Sequence, residues 1–246
     1  LATVVVSGIS YLSYLLKRYV FHESGTLVSG IIGGLYSSTA TISVLARKSR
    51  KASEQEATEY VAAMLLAVSM MFLRFMILIL IFSREIFLSI YPYLLTMAGG
   101  GGYCCLVIHS RQKDRKTSLL ETEEDDSSNP LEFKVALIFA VLFVIFTFLT
   151  HYTLVYAGTG GLNLLSFVSG FSDITPFILN LLQNTGSVAA LIVTACSMQA
   201  IISNIMVNMF YALFFAGKGS KLRPWILGGF GVVIACNLVL LLFFYI

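Results

Sequence analysis

Apolar residues dominate this chain in eight long runs, which cover residues 1–20, 27–46, 60–82, 86–108, 133–156, 161–182, 188–216 and 225–246. Each run is close to the ~20 residues that an α-helix needs to cross a hydrocarbon layer ~30 Å thick. Short polar stretches separate the runs and carry most of the charged residues. The pattern therefore predicts an all-α integral membrane protein whose main partner is the lipid bilayer.

One six-residue pattern, G-x-x-(S/D)-x-T, occurs in both the second and the sixth run. The two copies span Gly34–Thr39 and Gly170–Thr175, and their fourth residues are Ser37 and Asp173. Glycine, serine and threonine make poor lipid-facing surface where the backbone is open, because no water is there to bond it. In transporters with internal repeats, such broken segments meet to form a site. We therefore expect a broken or re-entrant helix at each copy.

The order of the runs indicates an internal duplication. Residues 109–131 are basic and then acidic, which is typical of a solvated linker. Four runs lie on each side of this linker, and the motif occupies the second run of each side. We therefore predict two membrane pseudo-repeats, residues 1–108 and 132–246, with six to eight transmembrane helices in total.

Lysines and arginines favour one arrangement of the segments. If all eight cross the membrane, eight basic side chains lie on one side and six on the other. If both motif segments enter and return on the same face, the division is thirteen to one, and with only the second re-entrant it is eleven to three. Since basic residues concentrate in cytoplasmic loops, we favour inverted repeats with cytoplasmic loops at 47–58, 109–131 and 217–224. Residues 27–46 remain long enough to cross as a broken helix.

Two ionisable residues lie deep within apolar runs, Arg74 in the third and Asp173 in the sixth. A charge at the centre of a membrane costs about 2.5–3.5 kcal/mol on insertion scales, so such residues face the protein interior and commonly mark function. One hypothesis is that Arg74 and Asp173 pair or line a common polar cavity between the repeats. The alternative is an ion pair that only ties the repeats together.

Small and polar side chains around the motifs are further candidates for binding or transport. Hydroxyls beside an open backbone suit a cation or a small solute, but small residues also simply let helices approach, and asparagines join helices by hydrogen bonds. Residues four apart, such as Asn204 and Asn208, share one helix face. Besides Arg74 and Asp173, the candidates are Gly33, Gly34, Ser37, Ser38, Thr39, Thr41, Gly170, Thr175, Asn204 and Asn208.

Composition excludes several other classes of function. The chain is 57% hydrophobic and 12% charged, whereas soluble domains carry about 25% charged residues. The four cysteines and three histidines have no metal-ligand spacing, and no nucleophile motif is present. Basic residues lie in short loops, as membrane topology requires, rather than in a nucleic-acid patch. We therefore expect no enzyme, no cofactor, no metal site and no nucleic-acid partner.

Several strings resemble a prokaryotic membrane family known as domain of unknown function 4010. The first is Gly33–Thr41 followed by Ala46 and Arg47, similar to the family's GGLxSSTAT…AR signature. Others are the opening at Asn129–Leu137, the element at Leu165–Asp173, the pair Ser203 and Asn204, and an arginine at position 74. Two positions depart from the family pattern, because Thr175 stands where it has a second acid and Asn208 where it has a lysine.

The resemblance implies a location and a companion domain. Members of the family lie in the bacterial inner membrane, and the domain commonly follows an MgtC/SapB-type membrane domain. The present chain opens at Leu1 inside an apolar run, so we expect it to be part of a longer protein.

The duplication, the paired breaks and the two deep charges favour a transporter or channel-like module for an ion or a small polar solute, with a homo-oligomer as a further expectation. The alternative is a membrane scaffold or regulator that acts through a partner or through the fused domain.

Overall fold

The computed structural model describes residues 25–50, 52, 54–110, 133–183, 189–217, 220 and 222–245. Within these ranges every regular element is an α-helix, as predicted. The helices are α1 (Thr26–Ser49), α2 (Glu54–Phe82), α3 (Arg84–Ser110), α4 (Phe133–Ser169), α5 (Ile174–Gln183), α6 (Ala190–Ala216) and α7 (Arg223–Tyr245). The run at 1–20 and most of the 109–131 linker lie outside the described residues. By length and composition alone, four described helices, α1, α2, α6 and α7, could cross a membrane, although α1 is bent back on itself, as described below.

Helices extend further into the charged sequence than the hydropathy pattern predicts. Arg47 and Lys48 form the last turn of α1, and α2 begins at Glu54, so only residues 50–53 of the predicted 47–58 loop separate the two helices. Helix α3 likewise continues to Ser110, beyond the predicted boundary at residue 108. Basic side chains in a last turn offset the partial negative charge of the free carbonyl groups there, which explains why α1 does not end with its apolar run.

Helix α1 is sharply bent at Ser37, whose φ of −156° and ψ of 108° are extended rather than helical. Its two arms, residues 26–36 and 38–49, fold back on each other. A Cβ atom added to Gly33 would lie 2.5 Å from the hydroxyl oxygen of Thr41, whereas residues eight apart in a straight helix are separated by ~12 Å along the axis. The first motif copy therefore forms a helical hairpin with its tip at Ser37, which we call the first hairpin.

The second motif copy lies between two short helical arms. Helix α4 is kinked at Gly158, where a φ of +58° and a ψ of −149° require a residue without a side chain. Beyond this kink, residues 160–169 run back along the earlier part of α4, since a Cβ atom at Gly161 would lie 2.7 Å from Cγ2 of Thr153. Residues 170–173 then form a turn, and α5 follows.

Helix α5 also returns along the earlier part of α4. The amide nitrogen of Asn180 donates a hydrogen bond of 2.7 Å to the hydroxyl of Thr147, and the ring of Phe177 lies 5.6 Å from that of Phe146. Helix α5 therefore lies beside residues 160–169 rather than beyond them. Residues 160–183 form the second hairpin, with its tip at 170–173.

Helices α2 and α6 form the centre of the molecule. Within their apolar windows 56% and 72% of residues are buried, against 28% for α1 and 22% for α7. Arg50, which precedes α2, lies against Gly217, which follows α6: a Cβ atom at Gly217 would be 3.5 Å from the Nε atom of Arg50. Helix α2 thus starts at the end of the molecule where α6 finishes, and the two central helices run in opposite directions.

Candidate functional site

Arg74 of α2 connects the tips of the two hairpins. Its Nη1 atom donates a hydrogen bond of 2.8 Å to the backbone carbonyl of Tyr36, next to the break in the first hairpin. Its Nη2 atom donates a hydrogen bond to the hydroxyl of Thr175, at the tip of the second. The side chain is 8% exposed. Because a guanidinium carries donors in a planar fork, one buried side chain reaches both acceptors.

Asp173 caps the second arm of its hairpin instead of pairing with Arg74. It immediately precedes α5, and its Oδ1 atom accepts the backbone N–H of Thr175 at 3.0 Å, as a carboxylate at a helix N-terminus commonly does. Among the described residues Arg74 and Asp173 form no ion pair, and Thr175 lies between them as a shared neighbour. Direct pairing, one form of the hypothesis, is therefore wrong, whereas both residues do lie at the tip of the second hairpin.

Ser37 occupies the equivalent position in the first hairpin. Its Oγ atom lies 3.4 Å from the backbone nitrogen of Ala40, a weak bond to the first turn of the second arm. Both fourth residues of the G-x-x-(S/D)-x-T motif thus cap a helix that starts at a hairpin tip. Two helix N-termini, each with a partial positive charge, begin at the tips that Arg74 joins, and only the second carries an acidic cap, Asp173.

Helix α6 binds the open backbone of the second tip. The amide nitrogen of Asn204 donates to the carbonyls of Gly170 and Ser172 at 3.2 and 3.4 Å. The hydroxyl of Ser203 donates to the carbonyl of Phe167 at 2.6 Å. Side chains of α6 thus donate to carbonyl groups at the break, where an apolar environment favours a donor for each exposed carbonyl. In the first hairpin Arg74 donates to the carbonyl of Tyr36.

The glycine of each motif copy packs against a central helix, Gly34 against α2 and Gly170 against α6. A Cβ atom on Gly34 would be 2.5 Å from the Cα atom of Ala67 in α2, and one on Gly170 would be 2.8 Å from the backbone nitrogen of Asn204 in α6. Gly170 also meets Ser203, and in both halves the residue that meets the glycine, Ala67 or Ser203, lies 33 positions later in the chain. Cys196 contacts Asn163 at the same separation of 33 residues.

Most of the remaining candidate residues make packing contacts or hydrogen bonds within the protein, and one of them, Asn208, has a side-chain oxygen without a hydrogen-bond partner among the described residues. Gly33 and Thr41 contact each other across the first hairpin, Ser38 is buried, and the carbonyl of Thr39 accepts from Ser43. Asn208 donates to the side-chain oxygen of Asn204 at 3.1 Å, so the predicted shared face is confirmed. The side-chain oxygen of Asn208 is buried and has no hydrogen-bond partner among the described residues. Burying such an acceptor unpaired costs about 1–3 kcal/mol.

Sequence reasoning missed the backbone acceptors at the tips and the direction in which Arg74 points. Side chains on a helix lean toward its N-terminus, and this tilt carries the guanidinium back to Tyr36. The role of Thr147 as acceptor for Asn180 was also missed, because no pattern relates the two positions. In the described part of the chain, no group of three or more His, Cys, Asp or Glu side chains is placed to hold a metal ion.

Comparison with known proteins identifies the family of this chain. A protein of Aquifex aeolicus (strain VF5), described as "Uncharacterized protein", is 24% identical over 227 residues, which are 90% of this chain and 96% of that protein. No solved structure matches the chain. The profile of a family described as "Domain of unknown function (DUF4010)" matches residues 4–216, a range that includes both hairpins, Arg74 and the polar face of α6. The chain therefore belongs to the DUF4010 family.

Proposed function

We propose that this membrane protein is a transporter or channel-like module for an ion or a small polar solute, with the solute passing where the two hairpin tips meet. The contact that carries the proposal is the double hydrogen bond of Arg74 to Tyr36 and Thr175. Broken helices that meet inside a membrane are the usual place for a solute site in proteins built from inverted repeats.

The donors and acceptors at the tips indicate the class of solute. The guanidinium of Arg74 has five N–H groups, of which the two bonds use two, so it has donors for a solute that accepts hydrogen bonds. Two helix N-termini add positive potential. We therefore propose an anion, or a neutral solute rich in acceptors, as the first class to test.

The topology that supports this proposal is a pair of inverted repeats. In it each hairpin is re-entrant and enters from the side opposite to the other, since α2 and α6 run in opposite directions. The glycine contacts at equal spacing, Gly34 with Ala67 and Gly170 with Ser203, support a duplicated unit. Of the lysines and arginines between the predicted segments, this topology leaves Arg84, the first residue of α3, as the single one on the outer side.

Cysteine labelling tests this topology. In a chain whose four cysteines are replaced by serine, single cysteines at Gly25 and Ala52 should react with an impermeant reagent from the same side of the membrane, and one at Ala189 from the other. The reason is that the first hairpin returns to the side from which it entered. Labelling of Gly25 and Ala52 from opposite sides would mean that α1 crosses, and the inverted arrangement would be lost.

Two variants of Asp173 separate a charge used in transport from a simple helix cap. Asparagine retains an oxygen for the N–H of Thr175, so Asp173→Asn should keep the melting temperature, whereas Asp173→Ala should lose about 1 kcal/mol of stability. If the solute senses the carboxylate, both variants change the rate of flux into liposomes. Unchanged flux through Asp173→Asn would show that only the cap matters.

A scaffold or regulator remains the second candidate, because bonds that tie the two halves together also suit a purely structural role. Purified protein in liposomes decides between the two. The transport proposal expects flux of at least one small anion or polar solute above that of protein-free liposomes. Folded protein that moves neither anions, cations nor neutral solutes under imposed gradients would favour the scaffold.

A further inference from the structure

A pocket of about 590 Å³ lies where the ends of α1 and α6 meet, lined by Arg47, Arg50, Phe214 and Phe215. The guanidinium of Arg47 lies over the ring of Phe215, 4.3 Å from its centroid. Arg50 lies against the backbone of Gly217, which ends α6 with a φ of +93°. Two positive groups therefore line one pocket, Arg47 packed on an aromatic ring and Arg50 on backbone.

Neither guanidinium is neutralised within the part of the chain whose side chains the structure describes. There, no aspartate or glutamate pairs with Arg47 or Arg50, and both arginines are exposed. Adjacent guanidinium groups bind phosphate oxygens through parallel, charge-assisted hydrogen bonds. The pocket thus has the chemistry to bind a phosphate group.

The surface next to the pocket is apolar, which distinguishes a lipid from a free phosphate ion. Phe210 and Phe214 are 61% and 67% exposed, and their rings stack at 6.1 Å along the outer face of α6. This face continues from the arginines toward the middle of an apolar helix. A phosphate bound by the arginines would therefore lie at the end of an apolar, lipid-facing surface, which is where a phospholipid headgroup lies relative to its acyl chains.

We propose that Arg47 and Arg50 bind the phosphate of an anionic phospholipid, with its acyl chains along Phe210 and Phe214. Basic pockets between membrane helices at the cytoplasmic surface bind lipid headgroups in this way. The site lies at the ends of α1 and α6, away from the hairpin tips, so it holds whether or not the protein transports a solute.

Binding of phosphatidylglycerol to the purified protein in a neutral detergent, followed by native mass spectrometry, tests this proposal. Each basic group near an anionic headgroup contributes about 1 kcal/mol, so the variant with Arg47→Gln and Arg50→Gln should bind about thirtyfold more weakly. Phosphatidylcholine should bind the wild-type protein far more weakly than phosphatidylglycerol. Millimolar inorganic phosphate should not displace the bound lipid.

Lys48→Gln is the matched control, because it removes one charge from the same turn of α1 without lining the pocket. It should bind phosphatidylglycerol within about threefold of the wild type, which is less than one charge contributes. If the double glutamine variant does not fold, the variant with Arg47→Lys and Arg50→Lys replaces it. Lysines keep both charges but lack the planar guanidinium groups, so this variant should still bind the lipid more weakly. Full binding by these variants, an equal loss in Lys48→Gln, or displacement by inorganic phosphate would each overturn the proposal.

Discussion

Arg74→Leu is expected to lower the free energy of unfolding by about 3 kcal/mol and to abolish solute flux. The substitution removes the hydrogen bonds of a charged donor to the Tyr36 carbonyl and the Thr175 hydroxyl, each with a net value of about 1.5–3 kcal/mol. Thermal unfolding in detergent and flux into liposomes would measure the two effects.

Arg74→Lys separates the charge from the geometry. Lysine keeps a positive charge, but its single nitrogen does not span two acceptors as a planar fork does. We expect the lysine variant to be more stable than the leucine variant and less stable than the wild type. If transport requires one side chain bonded to both tips, flux should still be lost. Arg84→Leu is the control, since it removes an exposed arginine at the start of α3 and should leave both measurements unchanged. An Arg74→Leu protein that unfolds and transports like the wild type would contradict this account of the tips.

Replacing the glycine of either motif copy, Gly34 or Gly170, should have the next largest effect on stability. A Cβ atom on Gly34 meets the backbone of Ala67, and one on Gly170 meets the backbone nitrogen of Asn204. Because backbone atoms do not move aside as a side chain does, each hairpin would have to leave its central helix. We expect Gly34→Ala and Gly170→Ala to cost about 1–3 kcal/mol each, and the valine variants more, measured by thermal unfolding in detergent.

Gly100→Ala is the matched control for these glycines. It lies within α3 with no atom within 4 Å of an added Cβ, and alanine is favoured over glycine inside a helix by about 0.5–1 kcal/mol. This variant should therefore be neutral or slightly more stable than the wild type. If Gly34→Ala and Gly170→Ala behave like Gly100→Ala, the close approach of the hairpins to α2 and α6 is not required.

Hydropathy and motif spacing were sufficient to predict that the protein is helical and where the two motif-containing helices are broken. The breaks follow from local chemistry, because Gly34 and Gly170 permit close approach while Ser37 and Asp173 cap the helix that follows. Pro176 is also explained locally, since it lies in the first turn of α5, where its missing N–H has no helical acceptor to lose.

What the sequence did not predict depends on distances between segments that are far apart in the chain. One hypothesis paired Arg74 with Asp173, the only acid at comparable depth. A hydroxyl and a carbonyl take that place, because the tilt of α2 side chains and the turn at 170–173 bring Thr175 and Tyr36 nearer. The pocket at Arg47 and Arg50 was missed for the same reason: no pattern shows that the end of α6 lies against the end of α1.

The tips also imply an order in which the chain is completed during synthesis. The Tyr36 carbonyl receives its donor from a residue 38 positions later, and the Gly170 carbonyl from one 34 positions later. Each hairpin tip therefore gains these hydrogen bonds only when the next long helix has been synthesised, and in an apolar layer every such bond matters. The bond between Arg74 and Thr175 joins residues 101 positions apart. Arg74 therefore receives its second acceptor only after residue 175 has been synthesised, so the two tips can be joined only late in the synthesis of the chain.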